Sequence, residues 1–135
     1  MKLLVGTDIE SVLRFKKLLE LKRKLLKNIF FESEYNYAIN KNNSEQSLAG
    51  IWCAKEAVVK SFDQIKSINI KDVEIICIKN HAPKVLIEKL NQNDFKFEIS
   101  ISISHTKYFA TAIAVVTVFE WHLDWRYGTM VVLEM

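Results

Sequence analysis

Glu56 and Lys60 are the residues of this 135-residue sequence whose types and spacing most directly suggest chemistry. They lie four positions apart in the proline-free segment 49–61, whose apolar residues recur every three or four positions and predict a helix. On that helix the two side chains share one flank, where a carboxylate and an ammonium could bind a metal ion and a phosphate together. The alternative is a solvated surface pair, which would stabilise the helix by only about 0.3–0.5 kcal/mol.

Lys55 stands out on the same helix because its position falls inside the apolar stripe. The ammonium group must therefore either extend to solvent along its aliphatic stem or enter a polar cavity. The stripe comprises Leu48, Ile51, Trp52, Val58, Val59 and Phe62.

Asp8 is a second candidate for a functional carboxylate. It follows the predicted strand 2–7, which Gly6 closes, and it precedes a predicted helix. A carboxylate at this junction could bind a cation. Alternatively Asp8 caps the helix, since Thr7 and Glu10 have capping-box spacing.

His105 and Thr106 lie in a predicted hairpin near the end of the chain. The segment 95–104 alternates apolar and polar residues, as a half-buried strand does, and the segment 109–119 predicts a strand buried on both faces. The imidazole of His105 could bind a ligand or hydrogen-bond the main chain of the turn; spacing does not decide between them.

A strongly basic segment lies near the start of the chain. Seven lysines and arginines and a single acid fall between positions 14 and 27, on a helix predicted for residues 11–28 with Leu13 and Leu25 facing inward. Such a flank is often only solvated. Like charges clustered on one side nevertheless favour an acidic partner.

The composition is that of one ordinary globular domain, with 50% hydrophobic and 26% charged residues. No apolar run is long enough to span a bilayer, and an acid at position 8 comes too early for a secretory signal. Two cysteines without metal spacing predict a reducing cytoplasm. The net charge of +3 does not require a nucleic acid, so we expect neither nucleic-acid nor membrane partners.

The order of elements predicts an α+β fold, with N-terminal helices packed on a small antiparallel sheet. A short helix is predicted over 30–40 with Glu34 on its polar side, a further strand over 73–78, and either a second strand or a mixed segment over 84–90. The predicted domain covers residues 1–119. The remaining segment, 120–135, contains Trp121 and Trp125 and is an extension of unknown role.

Three motifs, in their order and spacing, resemble the holo-[acyl-carrier-protein] synthase family. They are residues 6–9 with Arg14, residues 49–50 with residues 52–60, and residues 102–107. The similarity runs from the first strand to about Val118. The resemblance implies a single domain with the 4'-phosphopantetheinyl transferase-like fold, in an enzyme that is typically a homotrimer with active sites between subunits.

Family members transfer 4'-phosphopantetheine from coenzyme A to a serine of apo acyl carrier protein, releasing adenosine 3',5'-bisphosphate in fatty-acid biosynthesis. The resemblance implies that Asp8 and Glu56 bind Mg2+, with Glu56 and Lys60 catalytic. It implies that Lys60, His105 and Thr106 bind coenzyme A. The matching carrier-docking positions are Arg14, Lys17 and Lys24.

The residue chemistry agrees, because Mg2+ takes one or two carboxylates together with substrate phosphates. The attacking serine needs a base, which could be Glu56 or a metal-bound water.

Two positions depart from the family pattern. Ile51 stands where a basic residue is common, and residues 81–83 replace a Gly-Lys-Pro-like turn. These departures motivate an alternative, a non-catalytic homologue that only binds acidic carrier proteins through its basic first helix. A nucleic-acid-binding module using the same helix is a third hypothesis, which the modest net charge disfavours.

Overall fold

The structure is a computed structural model that describes residues 1–90, 96–119, 122–124 and 129–131. The first half of the chain contains one strand followed by four helices. These are β1 (Lys2–Ser11), α1 (Val12–Leu21), α2 (Arg23–Ile29), α3 (Glu32–Ile39) and α4 (Ser44–Phe62). The second half contains a single 3-10 turn, Ile70–Asp72, and then strands. They are β2 (Val73–Ile76), β3 (Lys84–Ile87), β4 (Phe97–His105), β5 (Phe109–Val118), β6 (His122–Asp124) and β7 (Thr129–Val131).

The main sheet has three antiparallel strands in the order β1-β5-β4. Glu10 and His105 both lie opposite Ala110, and Asp8 lies opposite Ala112. Within the described ranges, β2 pairs with β3 and β6 with β7, again antiparallel, in two separate two-stranded ladders. Helices packed on small antiparallel sheets confirm the predicted α+β class.

Helix α4 crosses one face of the main sheet, and small residues allow it to come close. A Cβ on Gly50 would lie 2.9 Å from Cγ2 of Ile103 in β4, and one on Gly6 in β1 would overlap the carbonyl oxygen of Ala57. Between these points the thiol of Cys53 donates to the carbonyl of Ala110 in β5 at 3.4 Å. The helix therefore passes from β4 over β5 to β1 along its length.

The predicted end of the first strand is wrong. β1 continues to Ser11 because it pairs with β5 over all ten of its residues, which places Asp8 inside the strand. The N-cap of α1 is Ser11, whose hydroxyl accepts from the Arg14 amide at 3.4 Å. Asp8 is therefore not a helix cap, and Thr7 with Glu10 forms no capping box.

The helix predicted over residues 11–28 is two helices. The backbone of Lys22 leaves the helical conformation, with φ −140° and ψ 47°, so α1 ends at Leu21 and α2 begins at Arg23. Leu13 and Leu25, predicted to face inward, are exposed, because α1 buries the face that carries Phe15 and α2 the face that carries Leu26.

Two burial predictions are also wrong. β5 is buried on one face only, because α4 covers that face while Phe109 and Ile113 point to the other and are exposed. Glu34, predicted on the polar side of α3, is fully buried. Of the remaining predictions, those for Phe95, Trp121 and Trp125 lie outside the described residues.

Lys55 enters a polar cavity rather than reaching solvent. Its Nζ donates to Glu34 Oε1 at 2.7 Å and to the Val73 carbonyl at 2.6 Å, and both charged side chains are completely buried. Burial lowers the pKa of Lys55 and raises that of Glu34, and the opposite charge of the partner counters each shift. Within the described ranges, no helix is long and apolar enough to cross a membrane.

Candidate active site

Strand β1 and helix α4 bring Asp8 and Lys60 into direct contact. Lys60 Nζ donates to Asp8 Oδ1 and to the carbonyl oxygen of Thr7, both at 3.0 Å. The hydrogen bond with Asp8 raises the pKa of Lys60, so the side chain is a cation at neutral pH. On the other side of the strand backbone, the hydroxyl of Thr111 donates to the Asp8 carbonyl at 2.9 Å and fixes this part of β1.

Glu56 belongs to the same cluster. Its position one helical turn before Lys60 places both side chains on the flank of α4 that faces β1. Burial raises the pKa of Glu56, the charge of Asp8 raises it further, and Lys60 opposes both. The two carboxylates are therefore near enough to repel each other, an arrangement that a cation between them would relieve.

Glu10 is a site residue that the sequence analysis missed. Its Oε2 accepts from Nη1 of Arg14 at 2.7 Å, and its charge also raises the pKa of Glu56. Residues two apart on a strand share a face, so Glu10 lies on the side of β1 that carries Asp8. The two-residue spacing of Asp8 and Glu10 was not recognised as a shared strand face, because the strand was predicted to end at Thr7.

The donors at this cluster suit a magnesium ion. Asp8 and Glu56 offer hard carboxylate oxygens from separate elements, and Mg2+ needs few protein ligands because it keeps waters and binds substrate phosphates. In the described part of the chain, no group of three or more His, Cys, Asp or Glu residues is arranged to hold a metal. The residues present therefore fit a two-carboxylate magnesium site and not a closed protein cage.

A pocket of about 360 Å³ lies on the other side of α4. His105 lines it, as do Ile51 and residues 81–83, so both departures from the family pattern fall in this pocket. The remaining lining residues come from α3, α4, β4 and the segment after β2. They are Tyr37, Gln46, Ser47, Gly50, Cys77, Ile78, Ile101, Ser102 and Ile103.

Thr106 lies next to this pocket without lining it. Its hydroxyl accepts from the amides of Tyr108 and Phe109 at 3.2 and 3.1 Å, and its carbonyl accepts from Gln46 Nε2 at 3.1 Å. These contacts shape the predicted turn between β4 and β5, which the structure confirms. A role for Thr106 in ligand binding stays a prediction.

Within one chain, α4 separates the carboxylate cluster from the pocket. Ser47 and Ile51 line the pocket on one flank of the helix, whereas Glu56 projects from the opposite flank, about 140° around the axis from Ile51. None of Asp8, Glu56 and Lys60 lines the pocket. The predicted magnesium site and the predicted coenzyme A pocket are therefore two separate regions of the chain that face different directions.

The predicted docking residues lie on the helices next to β1. Arg14 and Lys17 line a groove of about 350 Å³ on α1, beside the exposed side chains of Leu13 and Leu21. Lys24 is exposed on α2, outside this groove. Arg14 joins the two regions, because its guanidinium also binds Glu10.

Comparison with known proteins identifies the family. A sequence model of the 4'-phosphopantetheinyl transferase superfamily matches residues 4–116. The chain belongs to this superfamily. It is 36% identical over 114 residues to a holo-[acyl-carrier-protein] synthase of Thermodesulfovibrio yellowstonii, covering 84% of this chain and 96% of the relative. A holo-[acyl-carrier-protein] synthase of Finegoldia magna is 37% identical over 118 residues, covering 85% of this chain and 96% of the relative.

Solved structures of the family have the same fold. The crystal structure of Helicobacter pylori holo-[acyl-carrier-protein] synthase in complex with coenzyme A matches with a TM-score of 0.69 and 30% identity, covering 84% of this chain and 99% of that one. The family resemblance, the transferase fold and the assignment as an enzyme of this family are thereby confirmed.

Proposed function

We propose that this enzyme transfers the 4'-phosphopantetheine group of coenzyme A to a serine hydroxyl of an apo acyl carrier protein, in a Mg2+-dependent reaction. The observation that carries the proposal is the convergence of Asp8, Glu56 and Lys60 at the contact between β1 and α4. The pathway served is fatty-acid biosynthesis, and the location is the cytoplasm, where Cys53 and Cys77 remain free thiols.

The reaction exchanges the phosphoanhydride bond of the coenzyme A pyrophosphate for a phosphate ester bond to serine. The serine oxygen forms a bond to the β-phosphorus of coenzyme A as the bond from that phosphorus to the bridging pyrophosphate oxygen breaks, and adenosine 3',5'-bisphosphate leaves with that oxygen. Mg2+ bound by Asp8 and Glu56 would neutralise charge on the pyrophosphate. Lys60, a cation that donates a hydrogen bond to Asp8, would stabilise charge on the leaving oxygen. The serine proton goes to Glu56 or to a water beside it.

We propose that the active enzyme is a homotrimer whose sites combine residues of two copies. The face of the main sheet opposite α4 carries apolar side chains that are between 42% and 66% exposed, which are Leu3, Val5, Ile9, Phe109 and Ile113. An apolar face of this kind favours a protein–protein contact. A second copy packed there could bring its pocket toward the first copy's carboxylate cluster, which would join the two regions.

The experiment that tests the function is intact-mass spectrometry of an apo acyl carrier protein. The carrier is incubated with this enzyme, coenzyme A and Mg2+, with and without a chelator. We expect a mass gain of one phosphopantetheine that disappears when the metal is chelated. Carrier binding without any mass gain would instead identify the non-catalytic homologue.

Reversing charge on the docking helices should weaken carrier binding selectively. We expect Lys17→Glu combined with Lys24→Glu to raise the KM for carrier protein by about tenfold or more, because the two exposed cations lose their attraction to an acidic helix. The KM for coenzyme A should stay unchanged, since neither residue lines the pocket. Lys66→Glu, an equally exposed lysine after α4, is the control. An equal rise in both KM values would contradict the docking assignment.

A further inference from the structure

The buried pair Lys55–Glu34 binds main-chain groups along one edge of β2. Lys55 Nζ donates to the Val73 carbonyl at 2.6 Å, and the Ile75 amide donates to Glu34 Oε2 at 2.8 Å. The carbonyl of one residue and the amide of the second residue after it point to the same edge of a strand, so a neighbouring strand would bind these same two groups. The pair therefore takes the place of a neighbouring strand on the edge of β2 that β3 leaves free.

The pair is itself held firmly in place. Glu34 Oε1 accepts from both Lys55 Nζ and the Phe31 amide, at 2.7 and 2.8 Å, and the Phe31 ring lies 4.7 Å from the ammonium. Neither charged side chain reaches solvent. We call Lys55, Glu34 and the three main-chain groups they bind the buried bridge. It connects α4, α3 and β2.

The β2–β3 hairpin forms one wall of the pocket. β2 leads directly into Cys77 and Ile78, and residues 81–83 of the turn before β3 also line the pocket. Among the described strands, neither β2 nor β3 pairs with a strand of the main sheet. The position of the wall therefore depends on contacts between side chains and on the buried bridge.

Apolar packing alone would fix this wall poorly. Val73 and Ile75 point into the core, but apolar contacts are not directional and do not by themselves fix the orientation of a strand. The buried bridge adds directional hydrogen bonds to the Val73 carbonyl and the Ile75 amide, so it ties the edge of β2 to α3 and α4. Holding β2 in this way also holds Cys77 and the turn in the wall of the pocket.

We propose that Lys55 and Glu34 are positioning residues that anchor the β2–β3 hairpin to α3 and α4, and so hold the pocket wall where it can bind coenzyme A. The identity of the ligand rests on the proposed function, whereas the anchoring of the hairpin does not. The proposal gives Lys55 a role separate from that of Glu56, its neighbour in sequence, which faces β1 from another side of α4.

The first test measures the anchoring without any enzymatic activity. Cys77 is partly buried in the wall, and burial raises its pKa to about 11, so a thiol reagent should modify it slowly in the native protein. We expect Lys55→Met to increase the rate of Cys77 modification by about tenfold or more, and Glu34→Gln by less, since the amide retains one acceptor. Peptide mapping distinguishes Cys77 from Cys53. The rates are compared at a temperature at which circular dichroism shows each variant folded.

Matched controls separate the bridge from general effects of the substitutions. Lys71→Met and Glu32→Gln make the same changes at exposed residues close to β2 and on α3, and their Cys77 rates should equal that of the unaltered protein. If Lys55→Met does not fold, Glu34→Gln decides the outcome. A folded bridge variant with an unchanged Cys77 rate would overturn the anchoring of the hairpin.

The second test measures positioning during catalysis. In folded bridge variants we expect the KM for coenzyme A to rise by about tenfold, with kcat and the KM for carrier protein nearly unchanged. A purely structural role would lower only the active fraction, and with it the apparent kcat. An unchanged KM for coenzyme A would overturn the positioning role. If the unaltered protein transfers nothing, the proposed function fails, and the Cys77 measurement still decides whether the bridge anchors the hairpin.

Discussion

Asp8→Asn should reduce kcat/KM for phosphopantetheine transfer on the order of a thousandfold. The substitution removes the charge of one of the two carboxylates proposed to hold Mg2+, and it also releases Lys60 from its ion pair. The fold should survive, because the Asp8–Lys60 pair is partly exposed and such pairs contribute at most about 1 kcal/mol to stability. Steady-state kinetics across a range of Mg2+ concentrations provides the measurement.

Glu10→Gln is the matched control for this prediction. It makes the same carboxylate-to-amide change two residues along the same face of β1, at a side chain that binds Arg14. We expect a much smaller loss of activity, since Glu10 is not assigned to the metal. Equal losses in both variants would contradict the assignment of Asp8 as a ligand, as would a normal rate in Asp8→Asn.

The largest expected effect on stability comes from breaking the buried bridge. Lys55→Met should lower the free energy of unfolding by about 3–5 kcal/mol, because the Glu34 carboxylate would remain buried without its counter-charge. Urea denaturation of the two single variants and of the double variant Lys55→Met/Glu34→Met forms a thermodynamic cycle. The double variant should lose much less free energy of unfolding than the two single variants lose in sum, since the second substitution removes the isolated charge.

The double variant should nevertheless stay below the original stability. An apolar pair of similar volume often replaces a buried ion pair without loss. Here the apolar pair would leave the Phe31 amide, the Ile75 amide and the Val73 carbonyl without these hydrogen-bond partners. Each of these groups that stays buried should lower the free energy of unfolding by about 1–3 kcal/mol. A double variant as stable as the original protein would show that these main-chain bonds contribute little.

The residues of the candidate site could be selected from the sequence because their local spacing carries much of the signal. Glu56 and Lys60 share a flank of any helix, and only Asp8 had to be added from elsewhere in the chain. The break at Lys22 could not be predicted, since neither proline nor glycine marks it. Glu10 was missed because the true length of β1 depends on its pairing with β5, about a hundred residues later.

The buried bridge could be predicted only in part from the sequence. Lys55 was recognisably out of place in an apolar stripe, but nothing local pointed to Glu34, which lies 21 positions earlier. Glu34 looked like a surface residue because α3 is short and its polar and apolar residues are mixed. The separation of the carboxylate cluster from the pocket by α4 likewise required the strand order β1-β5-β4.

The most direct measurement of the central claim, transfer at a site assembled from two copies, uses two inactive variants together. Glu56→Gln damages the carboxylate cluster and His105→Glu damages the pocket, so each alone should leave the mass of apo carrier protein unchanged. When equal amounts of the two are refolded together, the copies mix at random in a cyclic trimer. About a quarter of the contacts between copies should then pair an intact carboxylate cluster with an intact pocket. We predict that the mixture modifies the carrier at about a quarter of the original rate. A mixture no more active than its components would contradict the shared site, and an unmodified carrier with the original protein would contradict the function itself.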